Sequence, residues 1–169
     1  GAWNGIAKRS GKEQGSSSGF AADAAPMRRT VAFAKDIKTS KEIATSYPTL
    51  INNYRLLLHE TAAENHLSLH NVDLKVSAQH VDGGMNAMER NTKISWLESS
   101  IDNDQTRILT NARCLSEGVD VPALDAVVFF SPRNSMVDVV QSVGRVMRKS
   151  EGKDYGYIIL PVAVPPNKS

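Results

Sequence analysis

Four residues of one segment have the types and spacing that suit phosphate chemistry. The first is Gln141. Gly144, Arg145 and Arg148 follow it by three, four and seven residues. On a helix with about 100° per residue, they fall within an arc of about 100°. The valines and methionines of the same segment point the opposite way. We therefore expect an amphipathic helix over 135–148 that packs its apolar side on a sheet and presents two guanidinium groups along one line.

Paired arginines suit a phosphate ligand because the planar guanidinium donates paired hydrogen bonds and keeps its charge. Next to a phosphoryl group in transfer, such a charge can raise the rate by several orders of magnitude. A solvated helix face explains the two arginines as well. Gly144 favours the functional interpretation, because glycine inside a helix costs about 1 kcal/mol relative to alanine and lets a ligand approach the backbone.

A second polar group follows a predicted strand, in the segment 108–122. Thr110, Asn111 and Arg113 can meet a phosphate backbone. Gly118 permits a sharp turn, and Asp120 can accept hydrogen bonds from ribose hydroxyls. An ordinary connection between two strands is the alternative.

The elements that must position these residues alternate along the chain. Apolar runs predict strands at 31–34, 74–78, 107–110, 125–130 and 155–160. Helical patterns predict helices at 37–47, 50–63, 86–100 and 135–148, with Pro48 ending the first. This alternation predicts an α/β domain, a mostly parallel sheet covered by helices on both faces. In such sheets, ligands bind at the carboxyl ends of the strands.

Composition sets outer limits on the class of protein. A chain of 169 residues with 41% hydrophobic and 22% charged residues suits one globular domain. The net charge of +2 permits a nucleic-acid partner without arguing for one. No apolar run approaches the roughly 18–20 residues that span a bilayer, so we expect no membrane association. The single cysteine, Cys114, excludes an intrachain disulfide and favours a reducing, cytoplasmic location.

The chain divides into three parts by its composition. Residues 1–27 are rich in Gly, Ser, Ala and Lys and lack periodicity, which predicts a linker or N-terminal arm. Residues 28–163 carry the predicted domain, and 164–169 form a tail.

The two polar segments resemble motifs V and VI of superfamily 2 helicases and translocases. The first resembles the pattern T-x-x-x-x-x-G-[ILV]-D-[ILV]-P at Thr110 and 118–122, with one or two more residues after the threonine than many members have. The second resembles Q-x-x-G-R-x-x-R at Gln141–Arg148. This form of the motif, with the wording NARCLSEGVDVP, resembles the helicase-like proteins related to restriction enzymes more than the DEAD-box RNA helicases.

Two earlier segments agree in order and distance. Val31–Lys35 is similar to the motif IV strand, and His80–Met85 with Glu89 and Arg90 resembles the segment H-G-G-M-x-x-x-E-R that opens the next helix. The resemblance covers residues 28–162. It implies a RecA-like, P-loop NTPase-type three-layer domain, the C-terminal one of the two motor domains of a DEAD/DEAH-type helicase.

The resemblance also implies a nucleotide site in the cleft between the two motor domains. Arg145 and Arg148 would reach the γ-phosphate as arginine fingers, with Gln141 near the same phosphate or the facing domain. Nucleotide-side contacts would come from Gly118 and Asp120, and from Gly144. ATP and Mg²⁺ would be held mainly by the N-terminal motor domain.

On the nucleic-acid side, the resemblance assigns backbone contacts to Thr110, Asn111 and Arg113, or a role in linking the nucleic acid to the ATP site. Lys35 and Asp36 would lie near the nucleic-acid track. The expected partner is nucleic acid, with DNA favoured over RNA.

The sequence contains neither a G-x-x-x-x-G-K-[ST] phosphate loop nor the Asp-Glu pair that holds Mg²⁺. The segment 5–13 has five residues between its glycines and Glu13 in place of the required hydroxyl. We therefore expect half of a motor, inactive as an isolated domain, whose first half precedes Gly1.

Two other functions are alternatives to an ATP-dependent helicase or translocase. A non-catalytic module on a decayed motor fold would bind nucleic acid or a protein without turning over ATP. A small-molecule phosphate-binding enzyme on a flavodoxin-like sheet would need a glycine-rich loop after its first strand, and that loop is missing.

The remaining chemistry-bearing residues receive structural interpretations. The four histidines, His59, His66, His70 and His80, lack the spacing of a metal site, so we expect surface histidines and no metal. Cys114 is expected to be a packed loop thiol, Trp96 a core residue, and Arg28-Arg29 a solvated strand start.

Overall fold

The computed structural model of the protein describes residues 26–64, 73–115, 124–131, 144 and 156–160. Five strands form one sheet in the order β2-β3-β1-β4-β5, and every pairing between neighbours is parallel. The described elements are β1 Arg29–Phe33, α1 Ile37–Glu64, β2 Lys75–His80, α2 Ala87–Glu98, β3 Gln105–Asn111, β4 Ala126–Phe129 and β5 Tyr157–Ile159. Neither helix is long and apolar enough to cross a membrane.

Helices cover both faces of the sheet. Neighbouring residues of a strand point to opposite faces, so the contacts of adjacent β1 residues show which helix covers which face. On one face, Val31 and Phe33 of β1 share a core cluster with Leu97 of α2. On the other, Ala32 of β1 belongs to a cluster against which Tyr47 of α1 packs. The predicted parallel sheet between two helical layers is confirmed.

The prediction that Pro48 ends a helix is wrong. A single helix, α1, runs through Pro48 from Ile37 to Glu64. Proline within a helix removes one hydrogen bond and costs about 3 kcal/mol. Tyr47 and Ile51, on either side of the proline, pack on the sheet. This packing continues the helix where local propensity would stop it.

The beginning of the domain is tied to the sheet by its first described residues. Met27, which composition assigns to the arm, is 2% exposed, and its carbonyl accepts a hydrogen bond from the Thr106 hydroxyl at 3.2 Å. The Asp125 carboxylate accepts the backbone N–H groups of Arg28 and Arg29 at 2.8 and 2.9 Å. Met27 therefore belongs to the packed domain.

Candidate nucleic-acid interface

A cleft of about 910 Å³ opens at the carboxyl ends of β1, β2 and β3. Parallel strands bring these three ends to the same edge of the sheet, which is where such folds bind ligands. The cleft is lined after β1 by 35–38, after β2 by Asp82 and Gly83, after β3 by 112–114, and on α2 by Arg90.

Four of the described residues that line this cleft are cations, namely Lys35, Lys38, Arg90 and Arg113. The lysines lie 3.9 Å from Asp36 and 4.0 Å from Glu42, in exposed pairs of the kind that contribute little stability. Within the described part of the chain, the Arg90 and Arg113 guanidinium groups have no hydrogen-bond acceptor. Among the described residues, no acceptor competes with an anionic ligand for these two arginines.

Asp36 lies on the cleft, and its carboxylate caps a helix. Its Oδ1 accepts the Thr39 backbone N–H at 2.7 Å, at the start of α1. This hydrogen bond, with the nearby lysines, lowers the pKa of Asp36 below its usual value. A carboxylate that stays charged repels phosphate, so the structure assigns Asp36 the positioning of α1.

Thr110 and Asn111 are 0% exposed. The Thr110 hydroxyl donates to the Ser40 carbonyl at 2.9 Å, and the Asn111 side-chain amide donates to the Ala32 carbonyl at 3.2 Å. Side chains buried this way cannot touch a phosphate backbone, so the predicted direct contact is not available to them here. The linking role stays a prediction. Arg113, two residues on, is exposed on the cleft.

The prediction of a surface histidine is wrong for His80, which is 8% exposed. Its Nδ1 lies 2.7 Å from Ser40 Oγ, and its Nε2 lies 2.8 Å from Asp82 Oδ2. Ser40 Oγ also lies 2.9 Å from Thr110 Oγ1. These four side chains are called the Ser40 network below. His59 is the exposed histidine that was expected, 3.0 Å from Asp73.

Asp82 shapes the turn that leads from β2 into α2. Its Oδ1 accepts the Gly84 N–H at 2.8 Å, and its carbonyl accepts the Met85 N–H at 3.3 Å. A Cβ added at Gly84 would lie 3.1 Å from Asp82 Oδ1, so the glycine lets the turn close. α2 then begins with a capping box between Asn86 and Glu89. The hydrogen bond from His80 is the largest cause of the lowered pKa of Asp82.

Sequence reasoning missed several of the residues that form the cleft and its floor. Arg90 belongs to the E-R pair of the fourth motif, so its signal was present in the sequence. Lys38 follows the motif IV strand closely. Nothing local connects Ser40 with His80, because the two residues are 40 positions apart.

Cys114 is the packed thiol that the sequence predicts, whereas Trp96 is only partly the predicted core residue. The Cys114 thiol donates to the Val81 carbonyl at 3.4 Å, and burial, followed by the Asp82 charge, raises its pKa to about 11. It is a packed thiol. Trp96 packs against the core but is only half-buried, with the Arg107 guanidinium 5.3 Å from its ring centroid.

Arg28 and Arg29 do not form a solvated strand start. Arg28 Nη1 donates to the Asp102 and Asn103 carbonyls at 2.9 and 2.8 Å. Arg29 donates to the carbonyls of Leu97, Glu98 and Ser99 at 3.1–3.3 Å. Arg29 therefore binds the end of α2, and Arg28 binds the loop after it.

Most residues predicted to meet the nucleotide, namely Gly118, Asp120, Gln141, Arg145 and Arg148, lie outside the described residues. Gly144 is described, helical and exposed, and a Cβ added there would meet no described atom within 4 Å. Packing within the described part of the chain therefore does not require this glycine. Among the described residues, no group of three His, Cys, Asp or Glu could hold a metal ion.

The chain is similar to known proteins in sequence and in fold. Residues 28–150 match the family described as Helicase conserved C-terminal domain. The solved structure of the ATP-dependent Type ISP restriction-modification enzyme LlaBIII bound to DNA is similar with a TM-score of 0.73 and 39% identity, over 99% of this chain and 10% of that one. The Mycobacterium smegmatis helicase Lhr, bound to ssDNA and AMP-PNP, shares the fold with a TM-score of 0.50 and 15% identity, over 80% of this chain and 15% of that one.

A helicase-named protein of African swine fever virus is 28% identical over 141 residues, which are 82% of this chain and 13% of that relative. The chain therefore spans only a small part of the curated relatives that it matches. The RecA-like fold and the resemblance to superfamily 2 C-terminal motor domains of the restriction-enzyme type are confirmed.

Proposed function

Since this chain belongs to the helicase conserved C-terminal domain family, we propose that it is the C-terminal motor domain of an ATP-dependent nucleic-acid helicase or translocase. In this proposal, it supplies part of the nucleic-acid track and the arginine fingers. The N-terminal RecA-like domain of the same polypeptide completes the ATP site.

The observation that carries the proposal is the basic cleft at the carboxyl ends of β1–β3. Lys35, Lys38, Arg90 and Arg113 line it. Phosphate contacts from lysine and arginine supply most of the non-specific affinity of proteins for nucleic acid. A cleft with this lining suits a phosphate backbone better than a neutral ligand. DNA is favoured over RNA because the 39% identical enzyme is described as bound to DNA.

The nucleotide half of the proposal rests on the family and on residue types. Arg145 and Arg148 would stabilise charge on the γ-phosphate, with Gln141 beside them. Gly118 and Asp120 would line the nucleotide side, and Gly144 would leave room for the ligand. ATP and Mg²⁺ are held mainly by the other motor domain, and a cytoplasmic location suits a chain with one free thiol.

The decisive experiment replaces Arg145 by alanine in the full-length protein and measures ATP turnover with saturating DNA. We expect turnover to fall by a factor of about 10³, because a charge that acts on the transition state is lost. Nucleotide binding should remain, because the other domain holds most of the ligand. Turnover equal to that of the unsubstituted protein would remove Arg145 from this role.

The non-catalytic module predicts a different result in the same assay. It binds DNA through the cleft, and its ATP turnover stays at background with and without DNA. Parallel titrations with DNA and RNA of the same sequence test the preference for DNA.

A further inference from the structure

The floor of the basic cleft contains a carboxylate, that of Asp82, and both of its oxygens have partners among the described residues. Asp82 Oδ2 lies 2.8 Å from His80 Nε2 and 3.6 Å from Lys41 Nζ. Its Oδ1 accepts the Gly84 N–H at 2.8 Å. A carboxylate can only accept, so His80 Nε2 carries a proton and donates to it. The side chain retains 10% exposure on a cleft that it lines together with four cations.

The His80 ring is itself held from its other side. Its Nδ1 lies 2.7 Å from Ser40 Oγ on α1, and Ser40 Oγ lies 2.9 Å from Thr110 Oγ1 on β3. The hydroxyl of Thr110 returns to the Ser40 carbonyl at 2.9 Å. Residues of α1 and β3 thus fix the ring, and the fixed ring holds the Asp82 carboxylate in place through its Nε2 hydrogen bond.

The order Ser40–His80–Asp82 matches the order of groups in a serine hydrolase, but the chemistry differs. Ser40 is 0% exposed, so no substrate carbonyl can reach its Oγ. The hydroxyl also contacts Thr110. A nucleophile must be accessible to the bond that it attacks, which leaves the network with a positioning role.

A carboxylate free to turn in this cleft would weaken phosphate binding in two ways. It would repel the phosphate directly, and it would pair with a cation such as Arg90 that the phosphate needs. Held by His80 and Gly84, the same carboxylate instead closes the turn that places Gly83 on the cleft.

We propose that His80 is a positioning residue of the cleft, which binds the Asp82 carboxylate through Nε2 and so keeps it out of the path of a phosphate backbone. This inference rests on the proposed function in that the phosphates belong to DNA. It assigns His80 no contact with the ligand.

The first test compares two amide replacements of His80 in the full-length protein. His80→Gln places an amide near the Nε2 position and keeps a donor for Asp82. His80→Asn places it near the Nδ1 position, keeps a partner for Ser40 and leaves Asp82 Oδ2 without the donor that His80 supplied. We expect His80→Asn to weaken binding of a fluorescein-labelled DNA duplex by roughly ten- to thirtyfold, and His80→Gln to stay within about threefold of the original protein.

Adding Asp82→Asn to His80→Asn should restore most of the lost affinity, because the freed carboxylate is then absent. A role limited to folding predicts no such rescue and equal losses in the two amide variants. Either of those results would overturn the proposal.

Asp82→Asn by itself removes the charge of the carboxylate. The Oδ1 of the new amide can still accept from Gly84, and its NH2 group can donate to His80 Nε2 once the ring carries its proton on Nδ1 and donates to Ser40 Oγ. We expect DNA affinity within about threefold of the original. A larger gain means that the carboxylate already repels the ligand, and a larger loss means that it binds the ligand. Both would contradict a carboxylate held out of the path.

Heparin, measured by calorimetry with the same variants, separates this proposal from the proposed function. Suppose that the original protein binds heparin but not DNA, and that His80→Asn weakens heparin binding while His80→Gln does not. The nucleic-acid function would then be rejected, and the positioning role of His80 would stand. Binding of neither polyanion would reject both.

Discussion

The two ends of the sheet each carry a cluster of basic side chains, and the clusters have different partners. At the carboxyl ends of the strands, Arg90 and Arg113 face an open cleft without an acceptor among the described residues. At the amino ends, Arg28, Arg29 and Arg107 donate to backbone carbonyls of α2 and the loop after it.

The last carbonyls of a helix have no partner within the helix, and a positive charge there also complements the helix dipole. α2 has no basic residue in its own last turn. Arg29 of β1 and Arg107 of β3 supply that charge from the sheet, and Arg107 also lies over the Trp96 ring. The same residue type therefore stabilises the fold at one end and remains available to a ligand at the other.

The largest effect that separates the two clusters is expected at Arg29. Arg29→Met removes donors to three carbonyls at the end of α2. We expect the free energy of local opening of α2 to fall by about 3 kcal/mol, measured by hydrogen exchange on peptides that cover 87–103. DNA affinity per folded molecule should not change. If Arg29→Met lost DNA affinity while hydrogen exchange over α2 stayed normal, Arg29 would be a ligand contact. The two basic clusters would then not differ in their partners.

The matched change at the other end is Arg113→Gln. It should weaken DNA binding about tenfold and reduce the slope of log affinity against log salt by about 1, because one phosphate contact is lost. Hydrogen exchange over α2 should stay the same. Arg113→Lys is the control, since it keeps the charge and should keep the salt slope. An unaltered slope in Arg113→Gln would show that this guanidinium meets no phosphate.

The smallest effect is a difference in acid sensitivity. The pKa of Asp82 is lowered from its ordinary value of 3.8 in the fold, so its contribution to stability is complete above about pH 3.8 and is lost as the pH falls further. In Asp82→Asn, the free energy of opening should fall less as the pH decreases. It is measured by hydrogen exchange, with the rates corrected for the pH dependence of intrinsic exchange. The Arg29 contacts are to neutral carbonyls, so the cost of Arg29→Met should not vary over the same range. If Asp82→Asn lost stability at low pH as steeply as the original protein, another group would be responsible for the acid sensitivity.

Much of the fold could be predicted because its signals are local. The apolar runs around Val31 and Val127 predict buried parallel strands, and both lie in the core. Pro48 shows the limit of such signals. Proline disfavours a helix locally, but the packing of Tyr47 and Ile51 on the sheet outweighs that cost.

The candidate site was predictable in part for the same reason. Lys35 and Arg113 follow strand ends, and parallel topology brings those ends to one cleft. The burial of Thr110 and Asn111 was not predictable, because their hydrogen-bond partners come from α1 and β1.

The sequence by itself determined the alternation of strands and helices, the order of the motifs and the presence of arginines suited to phosphate. Those properties depend on residue type and near neighbours. The tertiary structure decided which basic residues are used for capping and which face the cleft, and it placed Ser40 beside His80 across 40 positions. The physical reason is that a hydrogen bond depends on distances of about 3 Å, and only the packed sheet brings residues so far apart in the chain to that distance.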